Sequence, residues 1–188
     1  EQGVERFYLK YCSTFDSTPK GNIGPAADAA MELLGVSYTV LCPALPVNGR
    51  VVMKGELYVG GVPLHESPMK NHPLTPMWDA RIANLMKPQS KYSCVELWKE
   101  QMDSPADEIR AMLADRAGGQ EPFYVIPDYQ DMEDGERIVE LFGDLALLTG
   151  GSGILEPLAK HLSSSQDILP ELDIRAEGAA VLIAGSCS

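Results

Sequence analysis

The stretch Cys12-Ser13-Thr14-Phe15-Asp16-Ser17-Thr18-Pro19-Lys20-Gly21-Asn22-Ile23-Gly24 crowds hydroxyls, one carboxylate, one cation and two glycines ahead of a helix-like run. A small polyhydroxylated acid needs such groups. Lys20 and an unpaired helix start can hold a carboxylate, since free backbone N–H groups there attract anions. Asp16 and the loop hydroxyls, Ser17 and Thr18 among them, can hold sugar hydroxyls, and Lys10 just upstream adds a second positive charge. The same residues also suit an ordinary βα loop whose Ser and Asp satisfy nearby backbone groups. Residue types alone leave both readings open.

A second junction, Leu148-Thr149-Gly150-Gly151-Ser152-Gly153, is glycine-rich. It departs from G-x-G-x-x-G, because Glu156 stands at the third glycine, and no Gly-Lys-Ser/Thr follows. It suits a generic anion or hydroxyl cradle better than a nucleotide motif, with Ser152 at its centre. A third candidate is the proline-braced loop Glu66 to Met77, which carries Lys70, His72 and Thr75. A stiff loop holds polar groups at low entropic cost, yet a lone His also reads as a surface residue. A fourth is the turn Asn48-Gly49-Arg50, where the Arg faces either an anion or solvent. His65 and His161 lack partners at metal-ligand spacing, so no metal site is expected. Nor is there a nucleophile elbow. Cys12, Cys42, Cys94 and Cys187 show no C-x-x-C spacing and read as free thiols of a reducing cytoplasm.

These junctions need elements to hold them. Strand-like runs at Arg6–Cys12, Tyr38–Cys42, Tyr92–Leu97, Phe123–Ile126, Leu145–Leu148 and Ala179–Ala184 alternate with helix-like runs. The helices are expected at Asn22–Leu34, Met77–Met86, from Ser104 as N-cap to Ala117, at Asp134–Phe142, and from Gly153 to Leu162. Ile23, Ala26, Ala27, Ala30, Met31, Leu33 and Leu34 form the apolar face of the first helix. Short runs from Val51 to Leu64, broken by Gly55 and Gly60-Gly61, read as an inserted antiparallel β meander. The fold class is therefore α/β, a mostly parallel sheet with helices on both faces. The 188 residues, with 45% hydrophobic and 22% charged, suit one domain with a real core. A net charge of −12 disfavours nucleic acid and anionic membranes as partners. No run approaches the roughly 18 apolar residues of a membrane helix. Both ends, Glu1-Gln2-Gly3 and Ala184 to Ser188, lead us to expect a piece of a longer protein.

Taken in order, these segments resemble the four-carbon acid-sugar kinase family, in its 3-oxo-tetronate branch. The resemblance rests on Lys10 through Gly24, Cys42-Pro43-Ala44 through Asn48-Gly49-Arg50, Glu66-Ser67 through His72-Pro73-Leu74-Thr75-Pro76-Met77, Thr149 through Gly153, and Gly185-Ser186-Cys187-Ser188. It implies that Asp16, Ser17, Thr18 and Lys20 are acid-sugar ligands, with Lys10, Asn22, His72, Thr75 and Ser152 as neighbours. Ser186 resembles a serine that touches ATP. The resemblance further implies an ATP-dependent kinase with Mg2+ and a four-carbon sugar acid as its small-molecule partners, cytoplasmic, with a homo-oligomer compatible. Residues 1–163 would be part of an acid-binding N-terminal domain, 164–178 a linker, and 179–188 the first strand of a nucleotide-binding domain. The family's opening Asp-Asp-x-Thr-Gly-Ala turn is absent, and Ile126 to Met132 departs from a more usual aspartate-rich tract. Such a chain would be inactive alone. Two rivals stand beside this reading: a Rossmann-type nucleotide domain using Thr149 to Gly153, and a non-catalytic binding or effector module.

Overall fold

The computed structural model describes residues 4–118 and 121–163. The strand at Ala179–Ala184, the linker and Ser186 lie outside these residues. A parallel sheet runs in the order β1-β8-β2-β7-β6. Its strands are β1 (Phe7–Lys10), β2 (Tyr38–Cys42), β6 (Ser93–Leu97), β7 (Phe123–Pro127) and β8 (Leu147–Gly150). The antiparallel meander is β3 (Arg50–Met53), β4 (Glu56–Val59) and β5 (Val62–Pro63). The helices are α1 (Ile23–Leu34), α2 (Ile82–Met86), α3 (Lys99–Met102), α4 (Ala106–Ala117), α5 (Met132–Phe142) and α6 (Leu155–Leu162).

The strand order fixes the layers. The chain steps one way across the sheet from β1 to β2 to β6, then back through β7 to β8. Right-handed crossovers put the connections of the outward and return legs on opposite faces. So α1 and α2 cover one face, while α4 and α5 cover the other, with α6 packed on α5. Central strands buried on both faces should be apolar throughout. All five residues of β7 and the last four of β2 are buried accordingly.

The structure corrects four expectations about elements. The helix expected at Met77–Met86 is helical only from Ile82. Residues 77–81 are not helical, because the meander claims backbone groups at their end. Leu57 N–H donates to the Ala80 carbonyl at 2.8 Å, and Ile82 N–H to the Gly55 carbonyl at 3.0 Å. Second, α4 begins after Pro105, and Ser104 is not its cap. The Ser104 carbonyl instead accepts from the Arg137 guanidinium. Third, α1 buries a narrower stripe than its sequence offers, led by Ile23, Ala27 and Met31, and leaves Leu33 exposed. Fourth, β8 starts at Leu147 rather than Leu145, whose N–H turns back to the Phe142 carbonyl.

The tract after β7 ties the layers together. Asp128 is buried and accepts from the Lys99 N–H at 3.0 Å and the Gly55 N–H at 3.4 Å. Burial raises its pKa above the usual carboxylate value. Asp131 caps α5 by accepting from the Asp134 N–H at 3.0 Å. Buried Asp134 takes the Gln130 N–H at 2.8 Å and pairs with Lys99. Tyr129 joins the meander through reciprocal backbone bonds with Val52 at 2.9 and 3.0 Å.

Glycines at the end of β8 are required by close backbone approach. A Cβ on Gly150 would lie 2.5 Å from the Cys42 carbonyl oxygen, and one on Gly153 would overlap the Ala44 carbonyl. Gly118, by contrast, lacks positive φ and a Cβ there meets only ordinary-range contacts of 3.4 and 3.5 Å. We expect Gly153→Ala to destabilise by about 2–3 kcal/mol, as overpacking does. Gly118→Ala should be neutral or stabilising by up to about 1 kcal/mol. Urea unfolding of the two variants checks the contrast.

Candidate functional site

The loop after β1 is held in a strained, preset shape. Phe15 and Asp16 have φ of 63° and 29°, a region that side chains other than glycine's rarely adopt. The Asp16 N–H bonds back to the Thr14 carbonyl at 2.8 Å around Phe15, a γ-turn of the rare hand. Such strain costs on the order of 1–3 kcal/mol for each residue and persists only where the surroundings enforce it. Here the enforcing group is the Phe15 ring, fully buried and set edge-on to Tyr11 at 5.9 Å between centroids. The turn presents Asp16 with one carboxylate oxygen clasped by the Thr14 hydroxyl at 2.8 Å. Thr14 is in turn 3.2 Å from the Cys12 sulfur.

The rest of the loop divides into strut and surface. Ser17 is buried, and its hydroxyl donates to Gln89 Oε1 at 2.9 Å. It therefore pins the loop to the turn after α2. Gly24 allows this, since a Cβ there would sit 2.5 Å from the Gln89 carbonyl oxygen. Thr18 Oγ1 accepts from the Lys20 N–H at 3.2 Å. Lys20 is exposed. Asn22 occupies the N-cap position of α1, but its side chain makes no capping bond.

Sheet register brings two of the sequence junctions side by side. Lys10, the last residue of β1, pairs with Gly150, the last of β8, which also pairs with Cys42 of β2. Tyr11 N–H donates to the Gly150 carbonyl at 2.9 Å. The backbone of Ser13 lies against Gly151. Strand β8 leads away to α6, while its neighbours β1 and β2 lead to the opposite face. Ligand crevices form at such divergences beyond the carboxyl ends of strands. Exposed Ser152 sits at the mouth of this one. Two hydroxyls support its turn from below: Tyr8 donates to the Gly151 carbonyl, and Tyr129 to the Gly153 carbonyl at 2.8 Å. Burial raises both phenol pKa values, so the groups stay neutral donors.

The proline-braced loop forms a unit of its own. His72 Nδ1 accepts from the Thr75 N–H at 3.0 Å and lies 2.8 Å from the Thr75 hydroxyl. Met69 and Met77 root this segment in the core. Among the described residues, no hydrogen bond or ion pair joins His72 or Thr75 to the Asp16–Lys20 loop. Arg50 donates to the Asn48 carbonyl within its own turn. A depression of about 670 Å3 opens beside Pro19, walled by Trp78, Asp79, Asn84, Lys87 and Pro88. Half-exposed Trp78 gave no signal in the sequence, because a helix was expected there. Burial raises the Cys42 thiol pKa and pushes that of Cys94 up to about 12, so these two thiols stay protonated. Among the described residues, no group of three or more His, Cys, Asp and Glu converges on a metal-sized point. Ser17→Ala should cost about 1 kcal/mol, the net worth of a buried hydrogen bond. It should also speed tryptic cleavage at Lys20, which limited proteolysis followed by mass spectrometry would read.

Known proteins place the chain in a family. Residues 1–158 match the family model described as a sugar-binding N-terminal domain. A Brucella melitensis 3-oxo-tetronate kinase is 39% identical over 192 residues, covering all of this chain and 44% of that protein. A Haemophilus influenzae 3-oxo-tetronate kinase is 42% identical over 189 residues, covering all of this chain and 45% of that protein. The chain thus spans about half the length of the curated relatives it matches. Among solved structures, a Haemophilus influenzae protein superposes with a TM-score of 0.79 at 44% identity, over 85% of this chain and 39% of that one. A Bordetella bronchiseptica domain of unknown function, solved with bound citrate as a domain-swapped dimer, gives 0.63 at 32% identity, over 84% of this chain and 37% of that one. The chain belongs to the sugar-binding N-terminal domain family, in the branch whose curated relatives are named 3-oxo-tetronate kinase.

Proposed function

We propose that this chain is the acid-binding part of an ATP-dependent kinase that phosphorylates a four-carbon sugar acid, converting a 3-oxo-tetronate to its 4-phosphate. The observation that carries the reading is the strained turn at Phe15 and Asp16. It holds a carboxylate in place beside the crevice at the ends of β1 and β8. In this reading Lys20 and Lys10 neutralise the carboxylate of the acid. Asp16 and Thr18 accept from and donate to its hydroxyls, and Ser152 closes the crevice from the β8 side. Asn22 flanks the seat. Ser17 contributes through its strut to Gln89, and His72 with Thr75 form an outer wall. The citrate named for the Bordetella bronchiseptica structure is itself a small hydroxy acid, which fits a seat of this kind.

The described residues do not fit ATP with its Mg2+. They offer no converging metal ligands, and the glycines of residues 150–153 are accounted for by carbonyls packed against them. That second fact also weakens the Rossmann-type alternative, since close packing suffices to explain the motif. The phosphoryl donor is supplied by parts of the protein beyond these residues, and Ser186 is proposed to touch it. The contribution of this chain is to bind and orient the acceptor, which supplies much of phosphoryl-transfer catalysis. We place the whole protein in the cytoplasm, and no helix among the described residues is long and apolar enough to cross a membrane.

Titration calorimetry with erythronate and threonate tests this. The 188-residue chain should bind at least one of them. Asp16→Ala and Lys20→Ala should each weaken binding roughly tenfold or more, as losing a charge-assisted hydrogen bond does. The same chain should show no ATP-dependent phosphorylation of either acid, whereas the longer protein should turn over a 3-oxo-tetronate. Binding that is indifferent to both substitutions would move the site elsewhere.

A further inference from the structure

We infer that the hydroxyls of Tyr8 and Tyr129 are positioning groups for the sugar acid. They hold the Ser152 turn from two sides so that its exposed edge faces the crevice. The inference rests on the reading of Ser152 given above.

The two tyrosines come from different elements and meet the same turn. Tyr8 lies on β1, and its hydroxyl reaches the Gly151 carbonyl. Tyr129 lies between β7 and α5, and its hydroxyl reaches the Gly153 carbonyl at 2.8 Å. A trans peptide points its C=O and N–H in opposite directions. Anchoring the Gly151 carbonyl on Tyr8 therefore turns the Ser152 N–H away from Tyr8. Anchoring the Gly153 carbonyl on Tyr129 turns the Ile154 N–H away from Tyr129. Among the described residues, neither N–H donates to a backbone carbonyl. The two phenols thus fix the orientation of both peptides that flank Ser152 and Gly153.

The surroundings are shaped around these hydroxyls. A Cβ on Gly150 would lie 2.8 Å from the Tyr8 hydroxyl, and one on Gly135 in α5 would lie 2.6 Å from the Tyr129 hydroxyl. A glycine inside a helix costs about 1 kcal/mol against alanine. At Gly135 that cost makes room for the Tyr129 phenol. Ring packing alone would be served by phenylalanine, so the hydroxyls have their effect through the two carbonyls.

The test compares Tyr8→Phe, Tyr129→Phe and Gly135→Ala with the parent chain, each alone and combined with Ser152→Ala. Calorimetry with erythronate or threonate reads affinity, and thermal melting reads stability. Each Phe variant should weaken the acid roughly three- to tenfold, the worth of one hydrogen bond. Combined with Ser152→Ala, it should add little, because the turn it orients no longer offers its group. Tyr124→Phe, which removes a buried hydroxyl of β7 that donates to Asp28 of α1, should lower the melting temperature and leave affinity unchanged. Affinity unaltered in both Phe variants overturns the inference, as does a loss that adds fully to that of Ser152→Ala. Gly135→Ala presses on the Tyr129 hydroxyl without removing it, so it carries the test if Tyr129→Phe does not fold. A parent chain that binds neither acid fails the functional reading itself. A parent that binds while the tyrosine variants match it fails only this one.

Discussion

Everything near the site depends on how closely three backbones approach at the carboxyl end of β8. Gly150 lies between Lys10 and Cys42 in the sheet, and the next residues slide beneath the carbonyls of Pro43 and Ala44. No side chain larger than hydrogen fits along this path at Gly150, Gly151 or Gly153. The constraint turns a glycine-rich motif into a packing device. It also brings the loop after β1 and the turn after β8 into one crevice. A chain that opened this gap would lose the neighbourhood of Lys10, Ser13 and Ser152 before it lost any ligand contact.

The loop after β1 shows how stability is given up for a preset shape. Two successive residues with side chains sit at positive φ. The cost, about 1–3 kcal/mol for each of the two, is offset in part by burying the whole Phe15 ring, which contributes about 1.5–3 kcal/mol by itself. The ring alone does not exceed the summed strain, so the turn needs further support. The Ser17–Gln89 bond and the close approach of Gly24 to the Gln89 backbone supply the remainder. The exposed part of the loop, Pro19 and Lys20, is left to face solvent on a braced stem.

Much of the fold was legible in the sequence because it is written locally. Gly55 and Gly60-Gly61 marked the turns of the meander, and all three adopt positive φ. Gly35 marked the end of α1 in the left-handed conformation. Two of the failures share a cause. Residues 77–81 carry a helical pattern, but Gly55 and Leu57 offer them backbone partners from more than twenty positions away. Ser104 looked like a cap until Arg137, 33 residues on, took its carbonyl. The site follows the same rule. Its hydroxyls, carboxylate and lysine could be read from one loop, whereas the partner of Ser17 stands 72 residues away. Tyr8 stands in a strand-like run and Tyr129 in the tract Ile126 to Met132, and nothing local tells where a phenol oxygen points.

Tyr129 shows why such residues are hard to reassign to packing alone. Its backbone pairs with Val52 and so docks the meander. Its ring occupies the space left by Gly135 in α5, and its hydroxyl holds Gly153. One residue thus links the meander, a helix on the far face and the turn beside the crevice. A buried hydroxyl without a partner would cost about 1–3 kcal/mol, so each phenol needs an acceptor. Here the acceptors are carbonyls of the glycine-rich turn after β8. The same burial that makes the phenols poor acids makes them durable donors, and a turn fixed by neutral donors keeps its orientation across the pH range in which carboxylates and histidines change charge.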